Sequence, residues 1–235
     1  MSLRFSPLLA TLALVACAQP PYVPDEAPVV EYDDGAYLAA AAAGLPVYRI
    51  DPAGSGVYIR VGRAGALKSA GHDHAIASTV VEGMLLIAEE WTESRADLRI
   101  PLVHLVVDDP ANRARFGLDE KVSESAINGT TRNMQEKVLE SATYPSAIAT
   151  ARLTGPLSAN PDLAITLTLR DVTAEYTVPC ELQVGPEEVW VSGALTVQHE
   201  DFGLEPFSAA GGLLRVADQI DLEFEFRARR WGTLN

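Results

Sequence analysis

Leu163-Ala164-Ile165-Thr166-Leu167-Thr168-Leu169 runs into Arg170-Asp171-Val172-Thr173, and the chain returns through Glu175-Tyr176-Thr177-Val178-Pro179-Cys180-Glu181-Leu182. In the first arm Leu163, Ile165, Leu167 and Leu169 fall on one side, with Thr166, Thr168 and Arg170 on the other. Strict alternation of this kind marks a strand with one buried face, because side chains change sides at every residue. Two such arms joined by a short polar turn predict a β-hairpin.

The same pattern extends outward from the hairpin. Val57 to Val61, Ile76 to Ala88, Arg95 to Val107, Ala147 to Leu153 and Val189 to Val197 all read as strands, with Gly83 a candidate bulge or bend. Ile220 to Arg229 alternates cleanly: Leu222, Phe224, Phe226 and Ala228 inward, Glu223, Glu225, Arg227 and Arg229 outward. Those outward charges are placed to pair with neighbouring strands. Between Asp108 and Ala142 the β pattern fails. Met134, Val138 and Ala142 recur every four residues with Leu139 beside them, which predicts a helix capped at Thr130 or Thr131 and stopped before Pro145. Long strands with one apolar face each, interrupted by one helical insertion, predict an all-β protein: a closed, antiparallel, up-and-down barrel. About eight strands enclose one small ligand and leave no open sheet edge.

Three segments carry a family resemblance. The first is Arg132-Asn133-Met134 through Val138-Leu139 to Tyr144-Pro145; the second is the hairpin from Leu167 to Pro179; the third is Asp201-Phe202-Gly203-Leu204 with the final alternating strand. In order and spacing they resemble the YceI-like family, the lipocalin-like polyisoprenoid-binding proteins of bacteria, over Val47 to Arg229. The chain departs from the family pattern in places. Asp171 stands where the family turn has Gly, and Gly71-His72-Asp73-His74 looks like a subgroup signature in place of the usual early His-Ser and Phe-rich segment. Aromatic residues make up only 7%, so the usual phenylalanine lining is thin. The resemblance implies a lipocalin-like barrel with an elongated apolar cavity for an isoprenoid tail or another long amphiphile. Burial of such a tail is favoured at ~25 cal/mol per Å². Candidate lining residues are Leu85, Ile87, Ile100, Leu102, Leu167, Leu169, Phe224 and Phe226, with Met134 and Leu139 from the helix at the mouth. Packing of a filled core is the competing role for each.

His72 and His74 sit two apart and so share one side of an extended segment. Three roles are open for them: hydrogen bonding within the fold, contact with the polar head of a ligand, or weak candidacy as Zn²⁺ or Cu²⁺ ligands. A metal would need a further ligand from His104, His199 or the carboxylates. No metal and no catalytic group is favoured. The chain has no Gly-x-Ser-x-Gly, no Gly-rich phosphate loop and no paired Cys motif, and Asp108-Asp109 and Glu89-Glu90 read as solvated turns.

The first residues add an address. Arg4, the apolar run Phe5 to Val15 and the ending Leu14-Val15-Ala16-Cys17 have the order of a secretory signal peptide, too short to span a bilayer. The ending resembles the lipobox of bacterial lipoproteins. That implies cleavage before Cys17, lipidation (palmitate among its acyl chains) and, with Ala18 rather than Asp following, sorting to the outer membrane facing the periplasm. Two or more acyl chains make a stable anchor. The expected organisation is a signal peptide over 1–16, a flexible Pro- and Ala-rich tether over 17–46 reaching ~30 Å, and the barrel domain over 47–235. A net charge of −14 argues against nucleic acid as a partner, and anionic lipid headgroups would repel this surface, so attachment is expected from the lipid rather than from charge. Cys180 is then left as a single thiol and reads as a small buried apolar residue. The expected function is a lipid-anchored, non-enzymatic binding protein whose partner is a lipophilic small molecule. It carries no cofactor other than a bound isoprenoid quinone or polyprenyl lipid. The alternatives are a metalloprotein or enzyme centred on His72 and His74, and a packed structural module of the envelope. Oligomeric state is not legible.

Overall fold

The opening hairpin is built on a two-residue turn. A computed structural model describes Tyr22 and residues 33–232. In it β8 (Asp162–Leu169) and β9 (Val172–Val184) are joined by Arg170 and Asp171 alone, at φ 50° and 63°. Two left-handed residues give the turn the twist that the strands need. Val172 and Thr173, expected in the turn, already pair with Leu169 and Thr168. Asp is a tolerable substitute for Gly at Asp171, because its short polar side chain makes the left-handed region accessible.

The remaining strands are β1 (Val47–Ile50), β2 (Gly56–Ala64), β3 (His74–Ser78), β4 (Glu82–Leu86), β5 (Arg95–Pro101), β6 (Val106–Val107), β7 (Ser146–Leu153), β10 (Glu188–Gln198), β11 (Ser208–Ala209) and β12 (Leu214–Arg230). They form a closed barrel of eight antiparallel staves, as the alternation predicts. β1 and β2 are successive parts of the first stave, since both pair with β12. β3 pairs with β2 and β4 with β1, so these two make the second stave. β5 and β6 make the third, pairing with β4 and β3 respectively. β7, β8, β9, β10 and β12 follow in order, and β12 returns to the first stave. The break between β1 and β2 is bridged by a buried hydroxyl. Ser55 Oγ donates to the Asp51 carbonyl at 2.7 Å and accepts from the Arg227 N–H at 3.0 Å.

Several boundaries differ from the sequence reading, each for a local reason. The strand expected over Ile76 to Ala88 breaks after Ser78, whose Oγ accepts from the Val80 N–H at 3.1 Å. Gly83 is neither bulge nor bend; it pairs regularly with Leu98. Its role is close approach, because a Cβ there would stand 2.6 Å from the Asp97 carbonyl oxygen and 2.5 Å from Leu98 Cδ2. Gly83→Ala is therefore expected to destabilise the barrel by about 1–3 kcal/mol, measured by urea unfolding, since the backbone contact cannot be relieved by a rotamer change.

The helical insertion begins earlier than its apolar stripe. α2 (Pro110–Arg115) is capped by Asp109, which accepts from the Ala111 N–H. α3 (Glu124–Asn133) is capped by Ser123, not by Thr130 or Thr131, and runs into a single π turn over Met134–Val138. Thr131 lies inside α3 and its hydroxyl donates back to the Ile127 carbonyl at 2.9 Å. Polar residues fill the first turns, so periodicity alone cannot find that start.

Part of the stretch read as tether is helical. α1 (Gly35–Ala42) buries Tyr37 to 2% exposure against Val47, Met84 and Leu86, and the Tyr37 hydroxyl donates to Asp97 at 2.6 Å. The signal peptide, Cys17 and most of the tether lie outside the described residues. On the outer face the C-terminal strand pairs partly as expected. Arg227 meets Glu188 on β10, while Glu223 and Glu225 are taken by Arg115 of α2, which also lies 3.9 Å over the Tyr58 ring. Among the described residues no helix is long and apolar enough to cross a membrane.

Candidate functional site

The inward faces of the staves leave two adjoining cavities. The wider is about 540 Å³ and the narrower about 130 Å³. Val57, Ile100 and Leu167 line both, so they form the waist between them. The wider volume lies within the ~300–1,000 Å³ common for small-molecule sites.

Alternation carries the expected apolar residues to these walls. Leu85, Ile87, Phe224 and Phe226 line the narrow cavity. Leu102, Leu169, Met134 and Leu139 line the wide one, and Ile100 and Leu167 stand at the waist. Phe224 and Phe226 stack with ring centroids 5.4 Å apart, which supplies most of the aromatic surface of the narrow end. Asp201-Phe202-Gly203-Leu204 also gains a structural meaning. Phe202 and Leu204 are buried and line the wide cavity, while Gly203 turns the chain at φ 62°. Asp201 accepts from the Gln198 N–H and from the Tyr176 hydroxyl, both at 2.8 Å. Burial, and then that carboxylate, push the Tyr176 hydroxyl far above its ordinary pKa.

The two histidines line the wide cavity and are held differently. His74 opens β3, and its Nδ1 lies 2.6 Å from Asp108 Oδ2. An ionised carboxylate only accepts, so Nδ1–H donates and Nε2 is the nitrogen left over. Asp108, read as a solvated turn, is buried at 3% exposure. Its Oδ1 accepts from the Ala75 N–H at 3.0 Å and from Arg113 Nη1 at 2.7 Å. Arg113 is itself buried and also donates to the carbonyls of Asp73 and Glu120. Burial alone would raise the Asp108 pKa; the His74 and Ala75 hydrogen bonds, the attraction of His74 and the Arg113 bond outweigh it and hold the carboxyl below its ordinary value. Asp109, by contrast, is exposed and caps α2, and Glu89 and Glu90 are exposed.

His72 Nδ1 is buried and has no hydrogen-bond partner among the described residues; Glu120 Oε2 is 3.7 Å away, beyond hydrogen-bonding distance. The His72 and His74 rings are 6.5 Å apart and edge to face. Among the described residues no group of three His, Cys, Asp or Glu side chains is placed to hold a metal ion. His104 is exposed, and His199 is buried with Nδ1 2.8 Å from the Asp218 carbonyl. Cys180 is buried in β9, and burial, with Asp162 adding to it, pushes its thiol up to about 11.

Sequence reasoning missed Arg63, His199 and Arg215 as cavity residues, and Asp108 and Arg113 as the support of His74. Arg215 lies upstream of the alternating stretch, where Leu213 to Val216 shows no period. The Asp108–Arg113 spacing gives no sign that α2 folds back onto β3.

Comparison with known proteins agrees with this geometry. A model of the YceI-like domain matches residues 48–228. A polyisoprenoid-binding domain from Saccharophagus degradans, implicated in plant cell wall breakdown, superposes with a TM-score of 0.52 at 16% identity, covering 79% of this chain and 99% of that one. BcnA of Burkholderia cenocepacia gives 0.51 at 13% identity, covering 76% and 98%. At these identities the likeness is one of fold. No curated protein sequence matches the chain.

Proposed function

The chain belongs to the YceI-like domain family, and from that premise we propose that it is a non-enzymatic, lipid-anchored binding protein that holds a polyisoprenoid or similar long amphiphile. The carrying observation is the apolar path made by the two adjoining cavities, waisted at Val57, Ile100 and Leu167. The narrow cavity is almost wholly apolar and the polar side chains gather around the wide one, so a tail running from the wide end into the narrow end stays out of water. The polyisoprenoid binding of the Saccharophagus domain of the same fold supports this choice of tail. An isoprenoid quinone or a polyprenyl lipid meets the requirement.

Mass spectrometry of the gently extracted protein tests the reading. A lipophile with a long tail, recovered near one per chain on solvent extraction, is the expected result. Protein that yields none, and that also fails to bind added farnesol, would overturn it.

The anchor is the second part of the proposal: Cys17 carries acyl chains and fixes the protein to the outer membrane, with the barrel facing the periplasm. Each buried CH₂ contributes ~0.8 kcal/mol, so two or more chains hold the protein firmly. Cys17→Ser is expected to move the protein from the membrane pellet to the soluble fraction and to remove labelling by palmitate. Fold and farnesol binding should be unchanged, because nothing in the barrel contacts that thiol in the proposed arrangement.

A further inference from the structure

The rim of the wide cavity differs in composition from the rest of the surface. Residues 62–72 and 206–217 contain no Asp or Glu, although the chain holds 32. The two segments lie side by side, because Arg215 pairs with Ala64 and the Leu67 N–H donates to the Leu213 carbonyl at 2.8 Å. Ala70, Gly71, Leu214 and Arg215 border the wide cavity, so the segments form a lip around it. Leu67 and Leu213 line neither cavity; they are 46% and 49% exposed at the edge of the lip. Lys68 and Arg215 are exposed beside them, with no hydrogen-bonded or ion-paired side-chain partner among the described residues. Of the nearby acids, Glu120 is taken up by Arg63 at 3.3 Å, and exposed Glu205 stands just outside the lip. Exposed leucines beside unpaired cations suit a lipid surface: apolar tips enter the headgroup boundary and cations meet lipid phosphates.

A second observation places the start of the chain at the same end. The Tyr22 ring lies 5.7 Å from the Arg132 guanidinium carbon, and Arg132 belongs to α3, whose Gly129, Thr130 and Asn133 line the wide cavity. Five residues along the chain link Cys17 to Tyr22, and at ~3.6 Å per residue they reach no more than ~18 Å. An anchor at Cys17 is therefore tied to the wide end, although α1 packs at the narrow end, where Tyr37 meets Arg95. The narrow end offers a less suitable surface. Exposed Glu89, Glu90, Glu93, Glu187 and Glu188 surround it, and its arginines are engaged: Arg227 with Glu188, Arg229 with Asp51, and Arg49 over the Trp231 ring.

Resting on the reading that Cys17 is acylated and the cavity holds a tail, we propose that the wide mouth of the barrel docks on the phospholipid surface that carries the anchor. Leu67 and Leu213 enter the headgroup boundary, and Lys68 and Arg215 meet anionic lipid phosphates. The lip locally reverses the repulsion that the net charge of −14 imposes elsewhere. A tail then passes between bilayer and barrel through a mouth already seated on the membrane, with no passage through bulk water.

Depth-dependent quenching tests the docking. The acylated full chain, bearing Leu213→Cys or Val184→Cys labelled with bimane, is placed on vesicles of phosphatidylethanolamine and phosphatidylglycerol with brominated acyl chains. Cys180 does not compete for the label, because it is buried with its thiol pushed up to about 11. The Leu213 label is expected to be quenched. The label at Val184, which is exposed at the far end of β9, is expected to stay bright. Farnesol uptake from such vesicles should slow at least about tenfold in an L67S/L213S variant, since two leucines no longer gain from leaving water. Farnesol affinity in solution should be unchanged in that variant, which also shows that the barrel is folded. Quenching at Val184 alone, equal quenching at both sites, quenching at neither, or undiminished uptake by L67S/L213S overturns the docking and leaves the proposed function standing. An unaltered chain that does not stay with the vesicles overturns the anchor, and this inference with it. Failure of farnesol to bind in solution overturns the reading of the cavity itself.

Discussion

Replacing Asp108 with alanine is expected to destabilise the protein by about 3–5 kcal/mol, the cost of leaving a buried charge without its partner. Asp108 joins three things at once: His74 Nδ1, the Ala75 N–H and Arg113 Nη1. The side chain is fully buried, and Arg113 is only 7% exposed. Removing the carboxylate strands that guanidinium, leaves the Ala75 N–H of β3 without its side-chain acceptor and frees the ring of His74. Backbone strain adds to the loss, since Asp108 sits at φ 55°, where alanine is less at ease. Asp108→Asn tolerates that conformation and so isolates the charge; its cost should be smaller than that of alanine. Urea unfolding at pH 7 measures both. A loss under about 1 kcal/mol for alanine would mean that Glu120 or water replaces the carboxylate without penalty. The sign of the pH dependence follows from the lowered pKa. The contribution is fully present above the unfolded value of ~3.9 and is lost as pH falls through the still lower folded value. Wild-type stability should fall more steeply below pH ~4 than that of Asp108→Asn.

Leu167→Trp is expected to abolish the binding of long tails. Leu167 stands at the waist, so a larger ring there separates the narrow cavity from the wide one. Denying the narrow end one five-carbon isoprene unit forfeits ~4 kcal/mol at ~0.8 kcal/mol per carbon, roughly a thousandfold in affinity. The substitution itself costs about 1–3 kcal/mol of stability through overpacking. Tail length distinguishes blockage from unfolding. Geranylgeraniol should lose far more affinity than geraniol, which needs only the wide cavity. Equal losses for both would mean that the site is disrupted, and unchanged binding of the longer alcohol would mean that tails do not pass the waist.

Legibility from sequence followed the physics of each element. Residues on paired strands were readable, because an inward face must alternate; that is why Leu85, Phe224 and Leu169 all reach cavity walls. Breaks within staves were not. Ser55 and Ser78 mark those breaks through hydroxyl hydrogen bonds that have no periodic signature. α1 was missed as a packed element because one tyrosine, rather than an apolar stripe, holds it down. The basic wall of the wide cavity was invisible for a different reason. Arg63, His74 and Arg215 come from three strands, and only the register of β12 on β2 and of β2 on β3 brings them to one place.

The seam between the first and last staves has a consequence for the order in which the barrel forms. Tyr48 pairs with Arg230 and Val57 with Phe224, contacts that join opposite ends of the domain. Such distant pairing carries a large loop-closure cost before it returns any stabilisation, and folds dominated by it are slow. The five consecutive staves β7, β8, β9, β10 and β12 can zip locally, but β1 and β2 have no partner on that side until residues 214–230 exist. During synthesis the earliest strands therefore wait for the latest. The exposed time of that first stave, not the stability of the finished barrel, sets the protein's vulnerability to misassembly.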